Sequence, residues 1–243
     1  MKLKIGTYNI QHGKWHGHFL AAGEEVIDLA GDARVIRDAG LEVCGLNEVR
    51  NQEQVPGLCN QARVIAEELG YHFVFAPAID HRGGTYGNAL VSRYPIRAWR
   101  SCPIVVPEKE REPGVHYEDR VLLVAELAVE DKPLTVLVCH FGLHVSEMRR
   151  AIEVIRNELA QSSGEVVLMG DFNLTPDTPE YAALAELLRD SAPAGQALLS
   201  FPSHAPQVKI DYLFTSAGIH ATNVAVLETT QSDHRPYTAT VAW

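Results

Sequence analysis

Apolar residues in this chain fall into short runs and alternating stretches more often than into long helical stripes. The clearest run is Val166-Val167-Leu168-Met169, which stops at Gly170-Asp171-Phe172-Asn173. An unbroken apolar run edged by a turn signal predicts a strand buried on both faces. Asp171 and Asn173 leave it two positions apart, so both side chains point to the same side. Ligands gather at the carboxyl ends of strands in open α/β sheets. An ordinary strand-to-loop turn explains the same Asp and Asn when the stretch is taken alone.

The remaining pattern sorts into elements around this strand. Residues 3–10 alternate as a strand and deliver Asn9, and residues 11–23 read as a loop carrying Gly13, Gly17, His12, His16 and His18. Residues 24–39 have helical apolar spacing and stop at Gly40. Residues 41–46 predict a strand delivering Asn47 and Glu48, and residues 59–69 a helix closed by Gly70. Strands are expected at 71–76 and 88–92 around a polar loop at 81–87, then at 97–106 with an interruption at Pro103. Residues 120–129 and 134–140 predict an antiparallel pair turning through Glu130-Asp131-Lys132-Pro133. Residues 146–161 form the strongest amphipathic helix, with Ser146 as its cap. A helix at 179–188, a long polar loop and strands near 210–214, 219–227 and 237–241 complete the chain. Strands joined partly by helices and partly by hairpins predict mixed sheets with helices outside, a layered α/β architecture. No repeat or long linker divides the sequence, so residues 1–243 are read as one domain.

Composition, at 46% hydrophobic and 21% charged, places the chain among globular proteins rather than disordered or membrane ones. No stretch approaches the ~20 apolar residues of a membrane span, and residues 1–4 enter the first strand with no signal-peptide core. Cys44, Cys59, Cys102 and Cys139 are scattered without a Cys-x-x-Cys pair, which predicts a reducing, cytoplasmic setting. Net charge is -10, from 21 Lys+Arg against 31 Asp+Glu, which argues against a basic face for duplex DNA. A phosphate substrate remains compatible with this acidity, because a bound divalent ion supplies positive charge locally.

Many predicted strands end in a polar side chain: Asn9, Glu48, His140, and Asp171 with Asn173. Asp211 and the Ser232-Asp233-His234-Arg235-Pro236 stretch add to them. Oxygen donors without thiolates favour Mg²⁺ or Mn²⁺. Magnesium takes one or two carboxylates, so Glu48 and Asp233 suffice, leaving the histidines for phosphate contact or proton transfer. Other stretches read more plainly. His12, His16 and His18 fit a solvated loop, His140 and His144 lie at a strand end rather than on a zinc-binding helix, and Arg149 and Arg150 fit a solvated helix face. The glycines after Arg82 fit a hairpin turn as well as a phosphate cradle, and the Walker pattern is absent.

Six segments occur together in a recognisable order: Thr7-Tyr8-Asn9-Ile10, Asn47-Glu48-Val49, Gly87-Asn88 through Tyr94-Pro95, Gly170-Asp171-Phe172-Asn173, Ile210-Asp211-Tyr212-Leu213-Phe214 and Ser232-Asp233-His234-Arg235-Pro236. In this the chain resembles the endonuclease/exonuclease/phosphatase (DNase I-like) superfamily from Thr7 to Pro236. The resemblance implies a four-layer α/β/β/α sandwich of two mixed sheets and metal-dependent phosphoester hydrolysis in the cleft between them. It implies Glu48 as principal metal ligand with Asn9 and Asp233, and Asp171 with Asn173 as the pair aligning and deprotonating water. His234 would meet the phosphoryl oxygens with Asp211 fixing its tautomer, His140 and Arg120 would assist, and Asn88 would bind substrate. Two positions depart from the family pattern: Asn47 stands where many relatives have Gln, and Gln11 where abasic-site nucleases have an acid. The expected activity is phosphodiester hydrolysis, with Mg²⁺ or Mn²⁺ as cofactor and no membrane anchor or protein partner implied. The rivals are a nuclease of single strands or ends, a sphingomyelinase-like lipid phosphodiesterase and a silent binding module. The best enzymes lower phosphoester barriers by more than ~20 kcal/mol, which explains why so many polar groups are needed.

Overall fold

A computed structural model describes residues 2–130 and 132–243; Met1 and Asp131, the latter in the expected turn after residue 129, lie outside the described residues. In chain order the elements are β1 (Leu3–Asn9), a 3-10 turn (Gln11–Gly13), α1 (His16–Ala22), α2 (Leu29–Asp38), β2 (Val43–Asn51) and α3 (Gln61–Leu69). Then come β3 (His72–His81), β4 (Gly84–Ser92), β5 (Ile96–Ile104), a 3-10 turn (Glu108–Glu110), β6 (Arg120–Val129) and β7 (Lys132–His140). They are followed by α4 (Val145–Gln161), β8 (Glu165–Asp171), α5 (Pro179–Ala185), β9 (Arg189–Asp190), β10 (Asp211–Thr215), β11 (His220–Val226) and β12 (Tyr237–Ala242).

The strands form two six-stranded sheets, ordered β11-β12-β1-β2-β4-β3 and β5-β6-β7-β8-β10-β9. Each holds one parallel pair, β1 with β2 and β7 with β8, among antiparallel neighbours. Three apolar layers hold the molecule together. Between the sheets, Leu3, Val43, Leu90 and Tyr237 of the first share one core with Leu123, Val138 and Met169 of the second. Ile36 and Ile65 seat α2 and α3 on the first sheet, and Met148, Ile152 and Leu184 seat α4 and α5 on the second. The result is the expected helix–sheet–sheet–helix sandwich. Gly45 allows the sheets to approach closely, since a Cβ there would stand 2.7 Å from Met169 Sδ.

Local chemistry sets the helix ends. Asp28 Oδ1 accepts from Gly31 N (2.8 Å) ahead of α2, Asn60 Oδ1 from Arg63 N (3.2 Å) ahead of α3, and Thr178 Oγ1 from Tyr181 N (3.2 Å) ahead of α5. Several elements differ from the pattern-based expectation. The stretch read as loop contains α1, and α2 starts only at Leu29, because Ile27 instead bridges to Lys14 in extended form. The cap position of α4 is His144, whose backbone N donates to Glu147 Oε2 at 3.0 Å, so Ser146 lies inside the helix. β3 and β4 consume most of the expected 81–87 loop, and β5 runs through Pro103 because it is an edge strand, where a missing N–H need not be paired.

Candidate active site

The carboxyl ends of both parallel pairs open at the same end of the sandwich, and there the expected residues meet. Asp171, at the end of β8, is 2% exposed. Its Oδ2 accepts from Asn9 Nδ2 (3.1 Å) and lies 3.5 Å from both His140 Nε2 and His234 Nε2. Its Oδ1 accepts from the Asn173 backbone N (3.0 Å), which Asn173 presents from a left-handed conformation (φ 49°). Burial pushes the Asp171 carboxyl upward, against the pull of His234 in the other direction.

His234 is held from three sides. Its Nδ1 stands 2.9 Å from Asp211 Oδ2, the same oxygen that accepts from Ser200 Oγ at 2.6 Å, and the Phe201 ring lies 4.8 Å from the imidazole, centroid to centroid. Burial alone would lower this histidine, but Asp211 and then Asp171 more than offset it, and the imidazolium is favoured. His140 goes the other way: burial, then Arg120, then His234 keep its ring neutral. Both of its nitrogens face donors, Arg120 Nη1 at 3.4 Å and Asn173 Nδ2 at 3.2 Å, an arrangement hostile to a second N–H. Arg120 also pairs with Glu118 at 2.7 Å, beside a cavity of about 230 Å³ lined by His116, Leu143 and His144.

Glu48 sits at the irregularity where β2 pairs with β4, with φ 60°, a strained conformation for a non-glycine residue. Its Oε1 accepts from Asn9 Nδ2 at 3.0 Å. Burial raises the Asp233 carboxyl; His234 opposes this and the Glu48 charge adds to it. Neither Glu48 nor Asp233 has a cationic side chain within ion-pair distance among the described residues. Two neighbouring carboxylates, oxygen donors only and no cation between them, fit a hard divalent ion. Asp171, Asp211 and His234 also lie close enough to hold a metal, with one ligand atom from each within 4.8 Å of the others. In that group Asp211 Oδ2 and His234 Nδ1 are already engaged with each other.

Two expected contributors behave differently. Asn9 does not present its oxygen outward: Oδ1 accepts from Gln11 N (3.0 Å), while Nδ2 bridges the Glu48 and Asp171 carboxylates. Carboxylates demand a donor and the Gln11 N–H an acceptor, which fixes the amide's orientation. Asn88 is 2% exposed, accepting from Asn47 Nδ2 (2.8 Å) and donating to Val121 O (2.8 Å), so its amide lies between the sheets.

Other residues at the site have no role assigned by the sequence. Asn47 crosses between the sheets, accepting from Asp171 N (3.0 Å) and donating to Cys139 O (3.1 Å) and to Asn88. Ser232 Oγ donates to Asn9 O at 2.7 Å, tying the loop before β12 to the end of β1. Tyr86 lies beside Glu48, and burial followed by that carboxylate's field raises its phenol. The signal for Asn47 was present in its place beside Glu48; Ser200 and Tyr86 carry none.

A two-sheet sandwich with carboxylates and two imidazoles at one open end defines the DNase I-like class of α/β folds. The chain belongs to the Endonuclease/Exonuclease/phosphatase family, whose model matches residues 6–234, and members of that family are hydrolases acting on phosphoester bonds. Protein cwh43 of Schizosaccharomyces pombe is 29% identical over 144 residues, a match covering 58% of this chain and 14% of that protein, so the chain spans only a small part of it. An endonuclease/exonuclease/phosphatase family protein from Leptotrichia buccalis superposes with TM-score 0.77 at 20% identity, covering 99% of this chain and 100% of that one. The mannosyl-6-phosphatase of Bacteroides thetaiotaomicron superposes with TM-score 0.76 at 16% identity, covering 99% and 100%. No helix among the described residues is long and apolar enough to cross a membrane.

Proposed function

We propose that this chain is a divalent-metal-dependent phosphodiesterase in which water attacks phosphorus in line with the leaving oxygen. The observation that carries the reading is the single oxygen Asp171 Oδ2, 3.5 Å from each of two imidazole nitrogens and joined through Asn9 to Glu48. Glu48 and Asp233 would hold Mg²⁺ or Mn²⁺, which when bound polarises the phosphoryl group and neutralises its charge.

The chain's own residues supply the rest. Asp171 orients the attacking water and takes its proton, kept in place by the backbone N–H of Asn173 and by Asn9. His234 donates from Nε2 to a phosphoryl oxygen, its ring fixed by Asp211 at Nδ1. Neutral His140, held by Asn173 and Arg120, lies across Asp171 Oδ2 from it. The net charge of -10 favours a small phosphoester over a long nucleic acid. Free Cys44, Cys59, Cys102 and Cys139 support a reducing, cytoplasmic setting.

A panel of phosphodiesters, phosphomonoesters and oligonucleotides, assayed with Mg²⁺, Mn²⁺ or chelator, tests the proposal. Metal-dependent release from a small diester is expected. No turnover of any ester with either ion would overturn it, and oligonucleotide cleavage falling steeply with salt would favour the nuclease rival.

A further inference from the structure

Beside Glu48 a group of basic side chains gathers with no carboxylate at ion-pair distance among the described residues. Arg50, on β2, stands directly across from Tyr86 on β4, and Asn51 across from Thr85. Past Thr85 the hairpin turns back through Arg82 (φ 47°) and Gly83 (φ 79°), and Gln52 Nε2 fixes that turn by donating to Arg82 O at 3.1 Å. His81 follows on β3, its ring 5.7 Å from that of Tyr86. Among the described residues neither Arg50 nor Arg82 lies within ion-pair distance of any carboxylate, a trait shared with Arg37, Arg97, Arg156, Arg189 and Arg235; what sets the pair apart is its place beside Glu48 and Tyr86.

The electrostatics agree with the placement. The charged group acting most strongly on His81 is Arg50, which places the two side chains near each other. Arg50 Nε and His81 Nε2 are buried atoms with no hydrogen-bond partner. Buried polar atoms are nearly always paired, so such orphans call for a missing ligand or water. Glu25 and Glu48 offset part of the repulsion between Arg50 and Arg82, and an anion seated on the two guanidiniums would offset the rest.

We propose that Arg50, Arg82 and His81 form a second anion subsite, so that the substrate carries a further phosphate beside the ester that is cleaved. This rests on the phosphodiesterase reading for its meaning, while the subsite itself is defined by binding. Tyr86, between Arg50 and Glu48, separates the two ends of such a substrate. A planar guanidinium suits phosphate, to which it offers paired N–H donors. A second phosphate of this kind is found on a bisphosphorylated sugar and on a 5′-phosphorylated dinucleotide alike.

Calorimetric titration of the whole chain in Mg²⁺ with two matched pairs tests the subsite: glucose 1-phosphate against glucose 1,6-bisphosphate, and a thymidine dinucleotide without and with a 5′-phosphate. In at least one pair the second phosphate should tighten binding roughly tenfold or more. That preference should fall towards unity in Arg50→Gln/Arg82→Gln and fall partway in Arg82→Gln alone, a change on an exposed turn that leaves the strands intact. It should persist in Arg97→Gln, which removes one exposed positive charge elsewhere. The responding pair identifies the source of the phosphate. Absence of preference in both pairs, or its survival in the double variant, overturns the proposal. Turnover of a singly charged diester alongside either result would leave the phosphodiesterase reading standing.

Discussion

Asp171 and Asp211 face each other directly across β8 and β10, and one imidazole spans them: His234 reaches Asp211 Oδ2 with Nδ1 at 2.9 Å and Asp171 Oδ2 with Nε2 at 3.5 Å. Two carboxylates in one strand register therefore have different surroundings. Asp211 is fully buried and bound to Ser200 and His234, while Asp171 stands where both histidines and Asn9 converge. On the proposed mechanism the first holds a ring and the second handles a proton.

Asp171→Asn keeps the shape and the hydrogen bond from Asn173 N but removes the base. Turnover should fall on the order of 10²–10⁴-fold. The melting temperature should stay level or rise, because a buried carboxyl is exchanged for a neutral amide. Steady-state rates and thermal melts of the same preparation check both parts, and unchanged kcat would remove Asp171 from the chemistry.

Asp211→Asn puts a competing donor against the ring and weakens both its orientation and its positive charge. A loss of roughly 10²-fold or more in kcat is expected, with KM little changed. An NMR titration of His234 should show its pKa moving down from the wild-type value. A loss confined to KM would place Asp211 in substrate binding instead.

Glu48→Gln leaves Asn9 with one carboxylate to bridge and Asp233 alone on its side. The Mg²⁺ concentration for half-maximal activity should rise by at least about tenfold. An unaltered metal titration would count against the carboxylate's role.

Asp32, in the first turn of α2, is fully buried beside the Tyr8 phenol, with no cationic side chain at ion-pair distance among the described residues. Burial, then the charge of Asp28, raises its pKa well above 3.8. Above that unfolded value the native state therefore binds more protons than the unfolded one, and this group's contribution to stability declines as pH rises. Asp32→Asn removes the effect. Urea melts run upward from about pH 4.5, above the unfolded value, should show the variant gaining on the wild type as pH increases. A constant difference would refute the assignment.

Asn47→Ala strands the Asp171 N–H, Cys139 O and Asn88 Oδ1 between the sheets. Stability should fall by about 1–3 kcal/mol, the cost of buried groups left unpaired. Activity should fall with it, since Asp171 loses its anchor. Denaturant melts check the first and kinetics well below the melting transition the second; wild-type stability would mean that solvent replaces the amide.

Much of the site was legible because its residues sit at the ends of strands whose hydrophobic signal is strong, as with Asp171 after the 166–169 run. Pattern located α4 for the same reason: its buried Met148, Ala151, Ile152 and Ile155 repeat at helical spacing. It failed at α1, where exposed Trp15, Phe19 and Leu20 leave no buried stripe to detect. It also failed at the β3–β4 hairpin, since polar residues on a solvent-facing ribbon resemble a loop. Cross-sheet partners such as Asn47 with Cys139 depend on how two separate sheets stack, and a periodicity within one strand holds no record of that. For Asn9 and Asn88 the residues were identified but not which end of each amide is occupied, a matter settled only by neighbours far away in the chain.

β1 lies against β12, with Leu3 opposite Val241 and Thr7 opposite Tyr237. The groups that meet at Asn9 are thus drawn from segments far apart in the sequence, joined where Ser232 donates to the Asn9 carbonyl. A chain cut before residue 232 keeps every strand of the second sheet yet lacks Asp233 and His234. On the proposed mechanism such a fragment would retain Glu48 and Asp171 without the imidazole that faces them, and should not turn over substrate.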